Sequence, residues 1–149
     1  CLRGVRVGTG NDLTLFGRLT IEQVDLEPAT IVQSGDPLQR ALDLSIATGV
    51  GDLVVVDSRG AYVGMITGDD LRSALFDREA VPLLLVSEIV RTGVPVIRNT
   101  DTLAAALDQF SSHDVSRLPV GLPGASQHVI GLVSRASLMR LYQQMLQSD

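Results

Sequence analysis

The chain has 149 residues, a formal net charge of −5 and 45% apolar residues, with only 3% aromatics and no Trp. Its core must therefore be built from Leu, Val, Ile and Ala, in one compact domain or in two small subdomains that share a core. All 12 basic residues are arginines, scattered from Arg3 to Arg140 without a cluster, which argues against nucleic-acid partners and anionic membrane surfaces.

The longest apolar run, Ala80 to Val86, is interrupted by Pro82 and falls far short of the roughly 20 residues of a membrane span. No basic segment followed by an apolar stretch and a cleavage site marks a secretory leader. The lone Cys1 closes no internal disulfide, so a soluble, cytoplasmic chain is expected. Its start at Cys rather than Met reads as a piece of a longer polypeptide.

Residues 1–18 read as a lead-in. Within them Gly8-Thr9-Gly10-Asn11-Asp12-Leu13 begins like a phosphate-binding glycine loop but lacks the third Gly and the strand-loop-helix setting. After the apolar segment Leu19 to Val24, a β-rich run from Thr30 to Gln33 leads into a helix opened by Asp36-Pro37, with Leu38, Ala41, Leu42 and Ser45 at helical spacing. Leu53-Val54-Val55-Val56 is a strand buried on both faces. The turn Asp57-Ser58-Arg59-Gly60 feeds a second strand, Ala61 to Ile66, and a closing helix starts at Thr67. Asp77 to Arg91, with its Leu83-Leu84-Leu85-Val86 stripe, is expected to be a linker and a helix packed between two copies.

From Val94 the same order returns. Residues 30–55 align with 95–120 at a constant offset of 65, with Asp36/Asp101, Leu38/Leu103, Ala41/Ala106, Leu42/Leu107, Asp43/Asp108, Val50/Val115, Leu53/Leu118 and Val55/Val120 identical. The match resumes at offset 67, where Val63-Gly64-Met65-Ile66-Thr67 faces Ile130-Gly131-Leu132-Val133-Ser134, after a two-residue insertion near Pro123-Gly124-Ala125-Ser126. The expected fold is α/β (α+β): two β-α-β-β-α units packed as a pseudo-twofold pair, because one unit of about 55 residues buries too little surface alone. Boundaries fall at 19–76 and 94–145, with 77–93 as the linker.

Gly64-Met65-Ile66-Thr67-Gly68-Asp69-Asp70-Leu71, together with Ser116-Arg117-Leu118-Pro119-Val120 at the start of the second copy's middle strand, resembles the cystathionine-β-synthase-type (CBS) domain family over about residues 19–145. The resemblance implies a regulatory, non-catalytic module whose paired domains form a cleft for AMP, ADP, ATP or a related adenosyl ligand, with no other cofactor. It places the ribose at Thr67 and Asp70, the adenine against apolar residues near Thr30, Ile31, Leu53 and Val54, and a phosphate within reach of Arg117. A carboxylate suits a ribose because it accepts hydrogen bonds from both hydroxyls. Phosphates suit the N–H groups at a helix start.

The same Thr67-x-x-Asp70 spacing also makes an ordinary helix N-cap with an acidic third residue. In the second copy the equivalent stretch is Ser134-Arg135-Ala136-Ser137. Ser137 stands where the ribose carboxylate would be, so at most one strong site is expected there and at Asp70 together. Arg135 reads either as a phosphate contact or as a solvated surface residue.

His113 and His128 lie in different elements without Cys or His partners at metal spacing. No nucleophile elbow, Walker loop or paired carboxylates with a recognisable scaffold appears. Residues 78–90 and 134–142 are similar to the cytoplasmic C-terminal part of prokaryotic CLC-type chloride channels. The expected host is therefore a chloride channel or chloride/proton exchanger, with the module as its cytosolic gating part and homodimerisation by family precedent. A soluble enzyme or another transporter as host, and a ligand-free dimerisation domain, are the alternatives.

Overall fold

A computed structural model describes residues 17–147, so Cys1 and the glycine segment at 8–13 lie outside the described residues. Each repeat folds into a three-stranded sheet, a parallel pair followed by an antiparallel return. In the first, β1 (Ile31–Gln33) crosses over through α1 (Leu38–Thr48) to the parallel β2 (Leu53–Val56). Strand β3 (Tyr62–Ile66) then returns antiparallel to β2, and α2 (Gly68–Leu75) closes the unit. The second repeat runs β4 (Ile97–Arg98), α4 (Leu103–Ser112), β5 (Arg117–Leu122), β6 (Ala125–Ser134) and α5 (Arg135–Gln147), with the same pairing.

Several of the residues identical between repeats do the same work in each. Asp36 accepts a hydrogen bond from the Gln33 amide at 2.9 Å and Asp101 one from the Arg98 amide at 3.0 Å, each closing the turn before a helix. Leu38 and Leu103, Ala41 and Ala106, and Leu53 and Leu118 are all 0% exposed. Because strand side chains alternate faces, Leu53, Val55 and Ile66 pack with Leu38, Leu42 and Leu71 of their own repeat. From the other face, Val54, Val56 and Met65 join the core of the second repeat, with Leu118, Leu132, Phe110 and Leu138. Burial on both faces is why β2 carries no polar side chain.

The linker carries the expected helix only as one short turn. It forms a 3-10 turn, Val81–Leu83, and a single helical turn, α3 (Val86–Ile89). The reason lies in α1, whose start claims the linker backbone: the Leu38 amide donates to Leu84 O (2.9 Å) and the Val86 amide to Asp36 O (2.9 Å). A backbone spent on a neighbour in this way cannot also close its own helical bonds. Of the apolar stripe, Val86 is fully buried, while Leu83 is 81% exposed.

The segment before each repeat is traded to the other. Residues 84–86 cap α1 of the first repeat, and residues 19–21 cap α4 of the second, through Leu103 N to Leu19 O (2.9 Å) and Ile21 N to Asp101 O (3.0 Å). Arg91 exchanges two backbone hydrogen bonds with Met65, and Glu27 exchanges two with Leu132. Each lead-in thus extends the other repeat's last strand. A Cβ on Gly64 would lie 2.1 Å from Arg91 O and one on Gly131 3.0 Å from Glu27 O, so these glycines admit the crossing backbones.

Candidate functional site

The starts of α2 and α5 face a common cleft of about 830 Å³, lined from the first repeat by Asp52, Thr67, Asp69 and Arg72 and from the second by Arg117, Ser134, Arg135 and Arg140. Glu27, from the exchanged lead-in, and Asp114 complete its charged wall.

At its centre the two repeats meet through equivalent positions of opposite charge. Asp52 and Arg117, 65 residues apart, pair at 3.0 Å, and Arg117 Nε also donates to Glu27 at 2.9 Å. Asp52, 8% exposed, uses its other oxygen to accept the Gly68 amide at 3.1 Å. An internal carboxylate therefore already fills the anion-attracting start of α2. Hydrogen bonds to Glu27 and Asp52 raise the Arg117 pKa further above its already high value.

The start of α5 is built differently. Ser134 caps it by accepting the Ser137 amide at 3.0 Å, and Arg140 donates to Ser137 Oγ at 3.1 Å. Neither Arg135 nor Arg140 has a carboxylate partner among the described residues. A cation in the first turn of a helix opposes the helix dipole, so Arg135 is an unbalanced positive charge beside the cleft. Arg72, by contrast, is paired with Asp69.

Thr67 is the N-cap of α2: its Oγ1 accepts the Asp70 amide at 3.2 Å, and Asp70 Oδ2 accepts the Thr67 amide at 3.0 Å. Asp70 does more than cap. Arg91 grips it with a bidentate fork, Nη2 to Oδ1 at 2.8 Å and Nε to Oδ2 at 2.9 Å, and reaches the Asp114 carbonyl with Nη1 at 3.0 Å. Burial alone raises the Asp70 carboxyl, but the hydrogen bonds from Arg91 and Thr67 and the Arg91 charge outweigh it and hold the group below its ordinary value.

Because the folded pKa is depressed, Asp70 contributes stability above the ordinary carboxylate pKa of about 3.9 and loses it as pH falls toward the folded value. The melting temperature of Asp70→Asn is expected to fall less steeply than wild type between about pH 5 and pH 2. Parallel curves would contradict this assignment.

The other residues singled out in sequence divide by exposure. Thr30 is half-buried and its carbonyl accepts the Val54 amide at 2.9 Å, while Ile31 is 47% exposed on β1. Leu53 and Val54 are 0% exposed, so their side chains underlie the strand surface without reaching a solute. Ser137 is half-buried, and His128 is exposed on β6. His113, also half-buried, has Nδ1 2.9 Å from Gln109 O. Sequence reasoning passed over Glu27, Asp52, Arg91 and Arg140. For Asp52 a signal existed: the repeat offset places it opposite Arg117.

With the geometry in place, three comparisons bear on kinship. The family described as CBS domain matches residues 21–77 and again 86–144. Among curated proteins, a homoserine O-acetyltransferase of Methanocorpusculum labreanum is 26% identical over 120 residues, covering 80% of this chain and 23% of that protein. One from Methanosphaerula palustris is 27% identical over 111 residues, covering 74% and 21% respectively. The chain thus spans under a quarter of these relatives' length.

Among solved structures, the CBS domain pair of protein MJ0100, in complex with 5-methylthioadenosine and S-adenosyl-L-methionine, superposes with a TM-score of 0.68 at 23% identity, covering 85% of this chain and 97% of that one. CBSX2 in complex with AMP gives 0.69 at 22% identity, covering 85% and 98%. The CBS domain of a CBS domain containing membrane protein from Sphaerobacter thermophilus gives 0.73 at 21%, covering 95% and 98%. At these identities the likeness establishes the fold.

Proposed function

Because the chain belongs to the CBS-domain family and carries two copies in tandem, we propose that it is a regulatory module that binds an adenosine nucleotide between its repeats and signals occupancy to a partner domain. The observation that carries this reading is the cleft of about 830 Å³, within the range of small-molecule sites, with Arg135 and Arg140 presented from α5 without carboxylate partners among the described residues. Structural neighbours described with AMP, and with 5-methylthioadenosine and S-adenosyl-L-methionine, support the ligand class.

In this reading the phosphates lie at the start of α5 against Arg135 and Arg140, where helix dipole and guanidinium act together on an anion. Thr67, Ser134 and Arg117 line the same cleft. The ribose is assigned to Asp70, which follows the cleft residues Thr67, Gly68 and Asp69 without itself lining the cleft, and Thr30 and Ile31, also outside that lining, offer surface near β1 for the adenine. No step of bond making or breaking is assigned to the site.

The proposed host is a chloride channel or exchanger with this module on the cytosolic side, and it rests on the likeness of residues 78–90 and 134–142. That a structural neighbour is a domain of a membrane protein agrees with it. A second reading, a module joined to an enzyme, rests on the partial likeness to homoserine O-acetyltransferases, of which the chain spans under a quarter. About ten apolar helices encoded upstream in the same reading frame are expected for the channel, and an acyltransferase domain there would replace it.

Isothermal titration of the Arg135→Ala/Arg140→Ala double variant tests the ligand position. Nucleotide affinity is expected to fall at least tenfold, about 1.4 kcal/mol, from the loss of two charge-assisted contacts. Unchanged affinity would remove α5 from the site.

A further inference from the structure

The Asp70 carboxylate is already occupied by the protein itself. Arg91 offers it two parallel N–H donors at 2.8 and 2.9 Å, and a ribose offers a carboxylate two neighbouring O–H donors in much the same arrangement. With the Thr67 amide as a third donor, both oxygens of Asp70 are engaged. A ribose diol cannot take both oxygens of Asp70 while this fork is in place. The second repeat offers no substitute, since Ser137 holds the equivalent position and is bonded to Ser134 and Arg140.

The latch is built to open at one place. The Arg91 backbone is fixed by reciprocal hydrogen bonds to Met65 at 3.1 and 2.8 Å, across a contact that only glycine at 64 permits. The side chain, however, is 34% exposed, and that of Asp70 is 20% exposed, so solvent reaches the pair. Water can therefore solvate the guanidinium once a ligand's own donors replace the fork on Asp70. Only side-chain rotation is required. The third Arg91 donor holds the Asp114 carbonyl, which belongs to the second repeat. Releasing the fork therefore also releases a tie between repeats.

We propose that Arg91 is an autoinhibitory latch: it competes with the nucleoside hydroxyls for Asp70, and its displacement couples ligand binding to the contact between repeats. This rests on the nucleotide reading above. Other groups facing the pair are Asp69 and Asp114, whose charges both favour a cation at position 91 and hold the latch shut in the absence of ligand.

The test is isothermal titration of wild type, Arg91→Met and Arg91→Lys with adenosine and AMP, with thermal melts confirming that each variant is folded. Removing the competitor is expected to tighten adenosine and AMP binding roughly threefold to tenfold in Arg91→Met, with a smaller gain in Arg91→Lys, which keeps the charge but not the fork. Binding seen only in Arg91→Met supports the latch in its strongest form. If wild type binds and folded Arg91→Met binds equally or more weakly, the latch is overturned while the nucleotide reading stands. If Arg91→Met is unfolded, the gain expected of Arg91→Lys decides alone. If no form binds adenosine or AMP, both are overturned.

Discussion

Replacing Gly64 by alanine is expected to destabilise the chain by about 4 kcal/mol, within the range of severe steric and hydrogen-bond defects in a core. The added methyl would sit 2.1 Å from Arg91 O and 2.9 Å from Val90 Cγ2, and the first of these is backbone that cannot rotate away. Relief requires the exchanged segment to leave β3, which forfeits both Met65–Arg91 hydrogen bonds. For a chain of this length the melting temperature should drop by roughly 8 to 16 °C. Gly131→Ala, whose nearest contacts are at 3.0 Å, is expected to cost about half as much. Equal, small losses measured by chemical denaturation would mean that the lead-in exchange contributes little.

Arg117→Ala has the next largest expected effect. It strips the counter-charge from Asp52, which is 8% exposed and retains only the Gly68 amide. Breaking one partner of a buried pair costs more than the pair contributes, because a desolvated charge is left behind. Glu27 is more exposed and rehydrates, and Arg117 itself is 36% exposed. The expected loss is therefore about 2 kcal/mol rather than the full buried-pair value. Asp52→Asn keeps an acceptor for Gly68 while removing the charge, so adding it to Arg117→Ala should restore part of the stability. Additive losses in that double-mutant cycle would show that the two residues do not interact across the repeats.

Much of the architecture could be read from the sequence because the chain states it twice. The identical pairs Leu38/Leu103, Ala41/Ala106 and Leu53/Leu118 mark core positions in both copies, and Asp36/Asp101 mark the turns before α1 and α4. The closing helices begin where Thr67 and Ser134 predict. The linker does contain a helix, but only the single turn Val86–Ile89, because its pattern of Leu and Val does not fix how much of the segment is helical. What decides is that α1 takes the Leu84 carbonyl and supplies Asp36 O to Val86, a long-range contact that periodicity does not encode.

The site was less legible for a similar reason. Thr67 and Asp70 open α2 as the N-cap spacing predicts, but the partner that governs Asp70, Arg91, lies 21 residues away and on an exchanged segment. Repeat alignment shows which positions are equivalent. It does not show that equivalent positions touch one another, as Asp52 and Arg117 do, nor that Glu27 crosses to the second repeat.

Whether this CBS pair senses an adenosine nucleotide is decided by thermal-shift titration of the chain with AMP, ADP, ATP and S-adenosyl-L-methionine. A ligand that binds only the folded state adds about 2.7 kcal/mol at 100 times its dissociation constant. A saturable rise of several degrees is expected for at least one of them, reduced in Arg135→Ala/Arg140→Ala. No shift with any of the four at millimolar concentration would contradict it and leave a pair of repeats that serves assembly alone.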